Sequence, residues 1–224
     1  MVCVTRVALE TSSRPPSIAV QTGERTLALS LEAGRRHASD LLGALGTMLN
    51  ELGQTPADIR AVIVGTGPGS YTGLRVGIAT ALGLSRGTGA HLQAVPSFEA
   101  LALAHLNEGE CGTVLLDARS RQIYGAHYER TAAGLITSVA PTVCPAEDWR
   151  ATLPASDWLL CDEDSAKAAG LVEEEQARHR PCGGPHAEHL LALGIARLEQ
   201  AGALSPEAVE PLYLRPFAAN VRKR

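Results

Sequence analysis

The first third of the chain shows short apolar runs broken by turns, and then the hydrophobic period changes. Residues 4–10 (VTRVALE) read as a strand. After the polar turn 11–16, residues 17–21 and 26–31 give two more, parted by Gly23-Glu24 in a hairpin-like break. This predicts an antiparallel meander of three strands. Over residues 35–52 the apolar positions Ala38, Leu41, Leu42, Leu45, Met48, Leu49 and Leu52 recur at helical spacing, with Gly53 as the stop. Thr55-Pro56 then opens a short helical turn, as N-cap and first helical residue, that leads into a buried strand at 61–64.

The Gly/Pro/Ser cluster at 65–70 predicts a tight bend, followed by a helix over 74–86 with Thr72 as N-cap. That helix carries Gly77 and Gly83 in its interior and Gly73 at its start. Each interior glycine costs about 1 kcal/mol against alanine. Gly73, Gly77 and Ala81 recur every four residues and share one ridge, so another backbone is expected to come close. Two candidates stand side by side: the chain's own sheet, and a helix of a second chain.

After Val95-Pro96, Ser97 caps a third helix, 98–107. Strands follow at 111–117, 122–130 and 135–140, then a helix near Ala146, a strand at 157–161, a helix at 165–176 and a long helix at 186–200. Both halves open with three strands and then alternate strand with helix. The expectation is a duplicated α/β architecture with its boundary near residues 107–111.

Composition narrows the function classes. With 45% hydrophobic and 20% charged residues, the 224-residue chain is ordinary globular material. A formal charge of -4 and a pI near 6.0 argue against a protein that grips nucleic acid alone. Only the tail Val221-Arg222-Lys223-Arg224 is basic, and a solvated terminus is its plainest reading. Cys3, Cys111, Cys144, Cys161 and Cys182 are scattered without a Cys-x-x-Cys pair, which fits reduced thiols in a cytosolic protein. The N-terminus shows no secretion signal, and no stretch approaches the ~18 apolar residues of a membrane span.

Four stretches of the sequence are candidates for chemistry. The glycine bend lacks the Lys followed by Ser or Thr of a Walker loop, and Gly65, Gly67, Gly69 and Gly73 do not have dinucleotide spacing. Ser70 is flanked at i-2 and i+2 by Pro68 and Thr72, where a nucleophile elbow needs glycine; His37, His91 and His105 are candidate bases that the sequence cannot place. Cys182, His186 and His189 are either a metal cluster or a polar helix entry after Gly183-Gly184-Pro185. Asp117, ending a strand, is placed to bind a metal or an arginine, or to cap its own turn.

Several of these segments also carry a resemblance. Gly67-Pro-Gly-Ser-Tyr-Thr-Gly-Leu-Arg-Val-Gly-Ile-Ala is its strongest part. Val7-Ala-Leu-Glu-Thr-Ser, Arg36-His37, Val95-Pro96-Ser97, Asp117-Ala118-Arg119 with Tyr124, and Glu210-Pro-Leu-Tyr-Leu-Arg support it. Over nearly its whole length the chain resembles the bacterial TsaB (YeaZ-like) family of the tRNA threonylcarbamoyladenosine pathway. The resemblance implies an actin-like, ASKHA (sugar kinase, Hsp70-type) α/β fold. Its N-terminal lobe, 1–107, would carry the dimerisation helices, and the last segment of the C-terminal lobe, 108–224, would pack back on the first.

It further implies a non-catalytic cytoplasmic subunit, with no cofactor, metal or catalytic residue of its own, that binds a TsaD-like catalytic subunit and joins a TsaE-like ATPase. A homodimer would use the same helices, and tRNA would be met only through the complex. The expected interface is Arg36, His37, Leu41 and Leu45 on the first helix, with Tyr71, Leu74, Arg75, Gly77, Ile78, Ala81 and Leu82 on the second. On that expectation Gly77→Leu would abolish association and leave the chain folded. Two features depart from the family. Glu10 stands where Asp is usual, and Arg14-Pro15-Pro16 stiffens the loop where a kinase of this fold needs free N–H groups. The rival readings are an ATP-dependent small-molecule kinase of the same fold and a stand-alone peptidase.

Overall fold

The computed structural model describes residues 4–31 and 37–215, with 37–39 by backbone alone. The predicted meander is present as β1 (Thr5–Glu10), β2 (Ser17–Thr22) and β3 (Arg25–Ser30), antiparallel, with Val7 opposite Val20 and Val20 opposite Leu27. Then follow α1 (His37–Glu51), β4 (Ile59–Gly65), α2 (Tyr71–Thr88), β5 (His91–Val95) and α3 (Ser97–His105). The first sheet has the order β3-β2-β1-β4-β5, with β4 parallel to β1 and β5 parallel to β4.

The second half repeats the plan. β6 (Cys111–Arg119), β7 (Gln122–Thr131) and β8 (Gly134–Pro145) form another antiparallel meander. After them come α4 (Trp149–Thr152), β9 (Trp158–Cys161), α5 (Glu163–Ala169), α6 (Glu173–Gln176), β10 (His179–Pro181) and α7 (Ala187–Ala201). The sheet order β10-β9-β6-β7-β8 matches the first sheet strand for strand, β9 and β10 lying parallel beside β6. Two sheets of this topology flanked by helices make an actin-like fold.

Strand alternation assigns each face to different helices. In the first sheet Val7, Leu9, Val62 and Val64 pack with Leu41, Leu45, Leu49, Ile78 and Ala81 of α1 and α2. Ala8, Ala19 and Ile63 point the other way, onto Ala187, Leu190 and Leu191 of α7. In the second sheet Val114, Ala126 and Leu160 meet Phe98, Leu101 and Ala102 of α3, and Leu115 and Leu159 meet Trp149 of α4 and Ala166 and Ala169 of α5. Because α3 also lies against α7, those two helices form the layer between the sheets. Each fully buried Leu- or Ile-sized side chain in these layers contributes about 1.5–3 kcal/mol.

Several local expectations need correction. The N-cap of α2 is Ser70, whose hydroxyl accepts from the Gly73 N–H at 3.2 Å, so the helix starts earlier than Thr72. The helix expected over 165–176 is two, because Gly170 turns left-handed (φ 61°) and ends α5. Edge strands β5 and β10 were missed: β5 has five residues with a buried Gln93, and β10 is His-Arg-Pro, so neither shows a hydrophobic period. Among the described residues, no helix is long and apolar enough to cross a membrane.

Candidate partner interface and inter-sheet cleft

The glycine-rich bend is built by close approach. Gly65 ends β4, and a Cβ there would collide with the Glu10 carboxyl. At Gly69 (φ 158°) it would strike the Ser12 carbonyl, at Gly73 the Thr11 carbonyl, and at Gly77 the Thr11 hydroxyl. Hydrogen bonds hold the approach: Ser70 N–H to Ser12 O at 2.7 Å, Thr11 Oγ1 to Gly73 O at 2.8 Å, and Gly67 N–H to Ser97 Oγ at 3.0 Å. The segment after β1 therefore lies directly against the start of α2.

This decides the question of the small-residue ridge. Gly73, Gly77 and Ala81 face the chain's own β1 end and sheet, and the backbone they admit is that of Thr11. The expectation that Gly77→Leu spares the fold is overturned, since the leucine would displace Thr11. Leu41, Leu45, Leu74, Ile78 and Ala81 are likewise interior, at 7% exposure or less. Of the expected interface residues, Arg75 is exposed and Tyr71 and Leu82 are half-buried. Arg36 and the His37 side chain lie outside the described residues, as does the basic tail.

A different face of the same two helices is open. Ala79, Gly83 and Gly87, again four apart, are exposed on α2, and nothing lies within 4 Å of a Cβ placed at Gly83 or Gly87. On α1 Leu42 is 50% exposed, beside the exposed Gly43. α1 and α2 touch each other, so these residues belong to neighbouring helices on the outer layer. The sequence holds two small-residue edges on α2, and helical spacing alone does not say which one the sheet covers.

Between the sheets lies a cleft of about 470 Å³, lined by the 12–14 segment, the start of α2, the β6–β7 turn, the start of α5 and residues 212–215. Most of its polar groups are already bonded within the chain. Ser13 Oγ donates to Pro185 O at 2.8 Å, Asp162 Oδ1 accepts from Ser165 N–H at 2.6 Å, and Ser165 Oγ accepts from Asp117 N–H at 3.0 Å. Asp117 does two of the things expected of it, accepting from Arg119 N–H at 2.7 Å and pairing with the Arg119 guanidinium at 2.9 Å. Ser70 is engaged as a helix cap, and no described histidine lines the cleft beside it.

Residues 31–163 match the TsaD family, tRNA N6-adenosine threonylcarbamoyltransferase. The Escherichia coli tRNA threonylcarbamoyladenosine biosynthesis protein TsaB is 26% identical over 93% of this chain and 94% of its own length. The corresponding Haemophilus influenzae TsaB is 28% identical over 95% and 94%. A solved Pseudomonas aeruginosa structure, described as similar to the peptidase YeaZ, superposes with TM-score 0.77 at 28% identity, covering 94% of this chain and 99% of that one. The chain belongs to the TsaD family, in its TsaB (YeaZ-like) branch.

Within this TsaB-type chain, Glu10 occupies the end of β1 without reaching the cleft. It is fully buried; Oε1 accepts from Ser12 N–H at 2.6 Å, and Oε2 is buried against Gly65 without a hydrogen-bond partner. Burial pushes its pKa above the ordinary carboxylate value, against the opposing effect of the Ser12 and Ser97 hydroxyls and nearby N–H groups. The longer Glu thus acts as a packing and hydrogen-bonding group beneath the bend.

A second titratable cluster sits in the α3–α7 layer. His105 and His189 rings are 5.1 Å apart, His186 and His189 rings 6.0 Å apart, and His105 Nε2 and His189 Nδ1 are buried without hydrogen-bond partners. Cys182 is instead buried in the second sheet's core, and His186 caps α7 while contacting Ser30 Oγ at 3.1 Å. Among the described residues no group of three His, Cys, Asp or Glu is arranged to hold a metal. Burial first, then the neighbouring histidines, pushes His189 down to about 4. A base whose folded pKa is depressed loses stability as pH falls from its unfolded value near 6.5 toward 4. Urea titrations of His189→Gln should therefore show a shallower stability loss between those pH values than the parent chain.

Proposed function

We propose that this chain is a non-catalytic partner subunit in the formation of threonylcarbamoyladenosine at the adenosine next to the anticodon of tRNAs. On this reading it binds and activates a TsaD-type catalytic subunit, with a TsaE-type ATPase joining the complex, and tRNA is met through that assembly in the cytoplasm. The first lobe, 1–107, presents α1 and α2 to the partner, and a homodimer uses the same surface when the partner is absent.

The observation that carries the reading is the outer face of α1 and α2, where Leu42, Ala79, Gly83 and Gly87 leave room for a helix to approach closely. Tyr71, Arg75 and Leu82 border it. Leu41, Leu45, Leu74, Gly77, Ile78 and Ala81 form the packed layer that holds those helices in position. The internally bonded cleft supports a role without chemistry of its own.

The test is reconstitution of tRNA modification with the TsaD- and TsaE-type proteins of the same organism, with and without this chain. Leu42→Asp and Gly83→Leu should each weaken association by tenfold or more, about 1.4 kcal/mol, with the chain still folded by thermal unfolding. Gel filtration with the TsaD-type protein reads the first quantity. Undiminished complex with both variants would move the interface elsewhere, and modification that proceeds equally without the chain would end the reading.

A further inference from the structure

The last described stretch of the chain is held by both halves of the molecule. Val209, 7% exposed, belongs to the core under α1 and α2. Leu212 N–H donates to Thr66 O in the glycine bend at 2.8 Å. Tyr213 stacks on Tyr71 with ring centroids 4.6 Å apart, and its hydroxyl accepts from Arg75 Nε at 2.9 Å. The Arg75 guanidinium also lies over the Tyr71 ring, 4.4 Å from its centroid. Beyond this stack, Leu214 packs into the core shared by α3 and the second sheet. Arg215 Nη1 then donates to Ala118 O beside the β6–β7 turn at 2.5 Å. Residues 209–215 therefore run from the first sheet, over the first turn of α2, to the second sheet, along the cleft that 212–215 help to line.

The turn at the far end is strained. Arg119, Ser120 and Arg121 have φ of 65°, 55° and 61°, three consecutive non-glycine residues in the left-handed region. Each is held there at a cost of about 1–2 kcal/mol, which persists only where surrounding contacts impose it. The contacts that do so include the Asp117 carboxylate on Arg119 and, from outside the hairpin, Ala146 N–H on Arg121 O at 2.9 Å and Arg215 on Ala118 O. Only Leu214 lies between Tyr213 and Arg215, and the two Cα–Cα steps span at most about 7 Å, so little slack separates the stack from the turn.

We propose that residues 209–215 are a tie through which a protein seated on the first turn of α2 is sensed at the β6–β7 turn of the other sheet. The partner half of this inference rests on the docking face argued above; the tie itself does not. Tyr213 is 39% exposed and packed with an arginine, the residue types whose contacts strengthen most when a partner excludes water. Docking therefore tightens the stack, and through Arg215 the turn.

Amide hydrogen exchange on the full chain tests it. In the free protein Tyr213→Ala should speed exchange over residues 117–124 roughly tenfold, from loss of one stack and one hydrogen bond, with the interiors of β1 and β4 unchanged. Tyr213→Phe, which keeps the stack, should fall between. Arg215→Ala should speed the turn while leaving residues 71–75 as they were. An unchanged turn in Tyr213→Ala, or uniform acceleration that includes β1 and β4, overturns the tie.

With the TsaD-type protein added, exchange at the turn should slow in the parent chain and not in Tyr213→Ala. A complex seen by gel filtration that leaves the parent's turn indifferent overturns the sensing role. Absence of any complex counts against the docking face instead, and the free-chain comparison still decides the tie.

Discussion

Gly73→Ala should leave the chain unfolded or destabilised by about 4 kcal/mol or more, at the far end of what single substitutions do. The new methyl group would collide with the Thr11 carbonyl oxygen, a backbone atom that cannot swing aside as a side-chain tip does. Moving it means breaking the Thr11 Oγ1 to Gly73 O and Ser70 N–H to Ser12 O bonds that fix the segment after β1. Gly77→Leu should fail similarly, by displacing Thr11. Gly83→Ala on the same helix is the contrast: with open space around it, alanine should stabilise by about 0.5–1 kcal/mol through helix propensity. Urea denaturation of the three variants checks the pattern. If Gly73→Ala unfolds with the parent's midpoint, α2 does not lie on Thr11 and the assignment of its inner and outer edges is wrong.

Glu10→Gln should make the chain more stable above the ordinary carboxylate pKa, with a gain that grows as pH rises until the folded Glu10 carboxyl ionises. The sign follows from linkage. Burial raises the Glu10 pKa above 4.5, so the folded state keeps a proton that the unfolded chain releases. Stability is then full below the unfolded value and falls by about 1.4 kcal/mol per pH unit above it, until the folded carboxyl itself ionises. Glutamine fills the same space with no charge to bury, so the variant lacks that loss. Glu110 and Glu175 act in the opposite sense, held low by Arg180 and Arg150, Glu110 to about 2. The measurement is therefore the difference between the two proteins from pH 4 to 8. Parallel curves would mean that Glu10 is ionised in the folded state.

Much of the fold was legible because its signals are local. The three-strand opening of each half, the apolar spacing of α1 from Leu41 to Leu49 and the Thr55-Pro56 turn rest on residues next to one another in sequence. The turn holds, with Thr55 N–H and hydroxyl both donating to Asp58 at 2.8 and 2.6 Å. β5 and β10 were not legible, since an edge strand of three to five residues is defined by the strand beside it. The contacts of Tyr213 with Tyr71 and Arg75 were equally hidden, because 138 residues separate Arg75 from Tyr213.

The sequence by itself determined the duplicated α/β plan, the glycine-bearing second helix and the resemblance to TsaB-type chains, because periodicity, glycine placement and motif are properties of neighbouring residues. Only the tertiary structure decided which edge of that helix is open. Gly73, Gly77 and Ala81 look outward-capable on a helical wheel, as Ala79, Gly83 and Gly87 do. The difference is that the backbone of Thr11, 62 residues away from Gly73, occupies the first edge and nothing occupies the second.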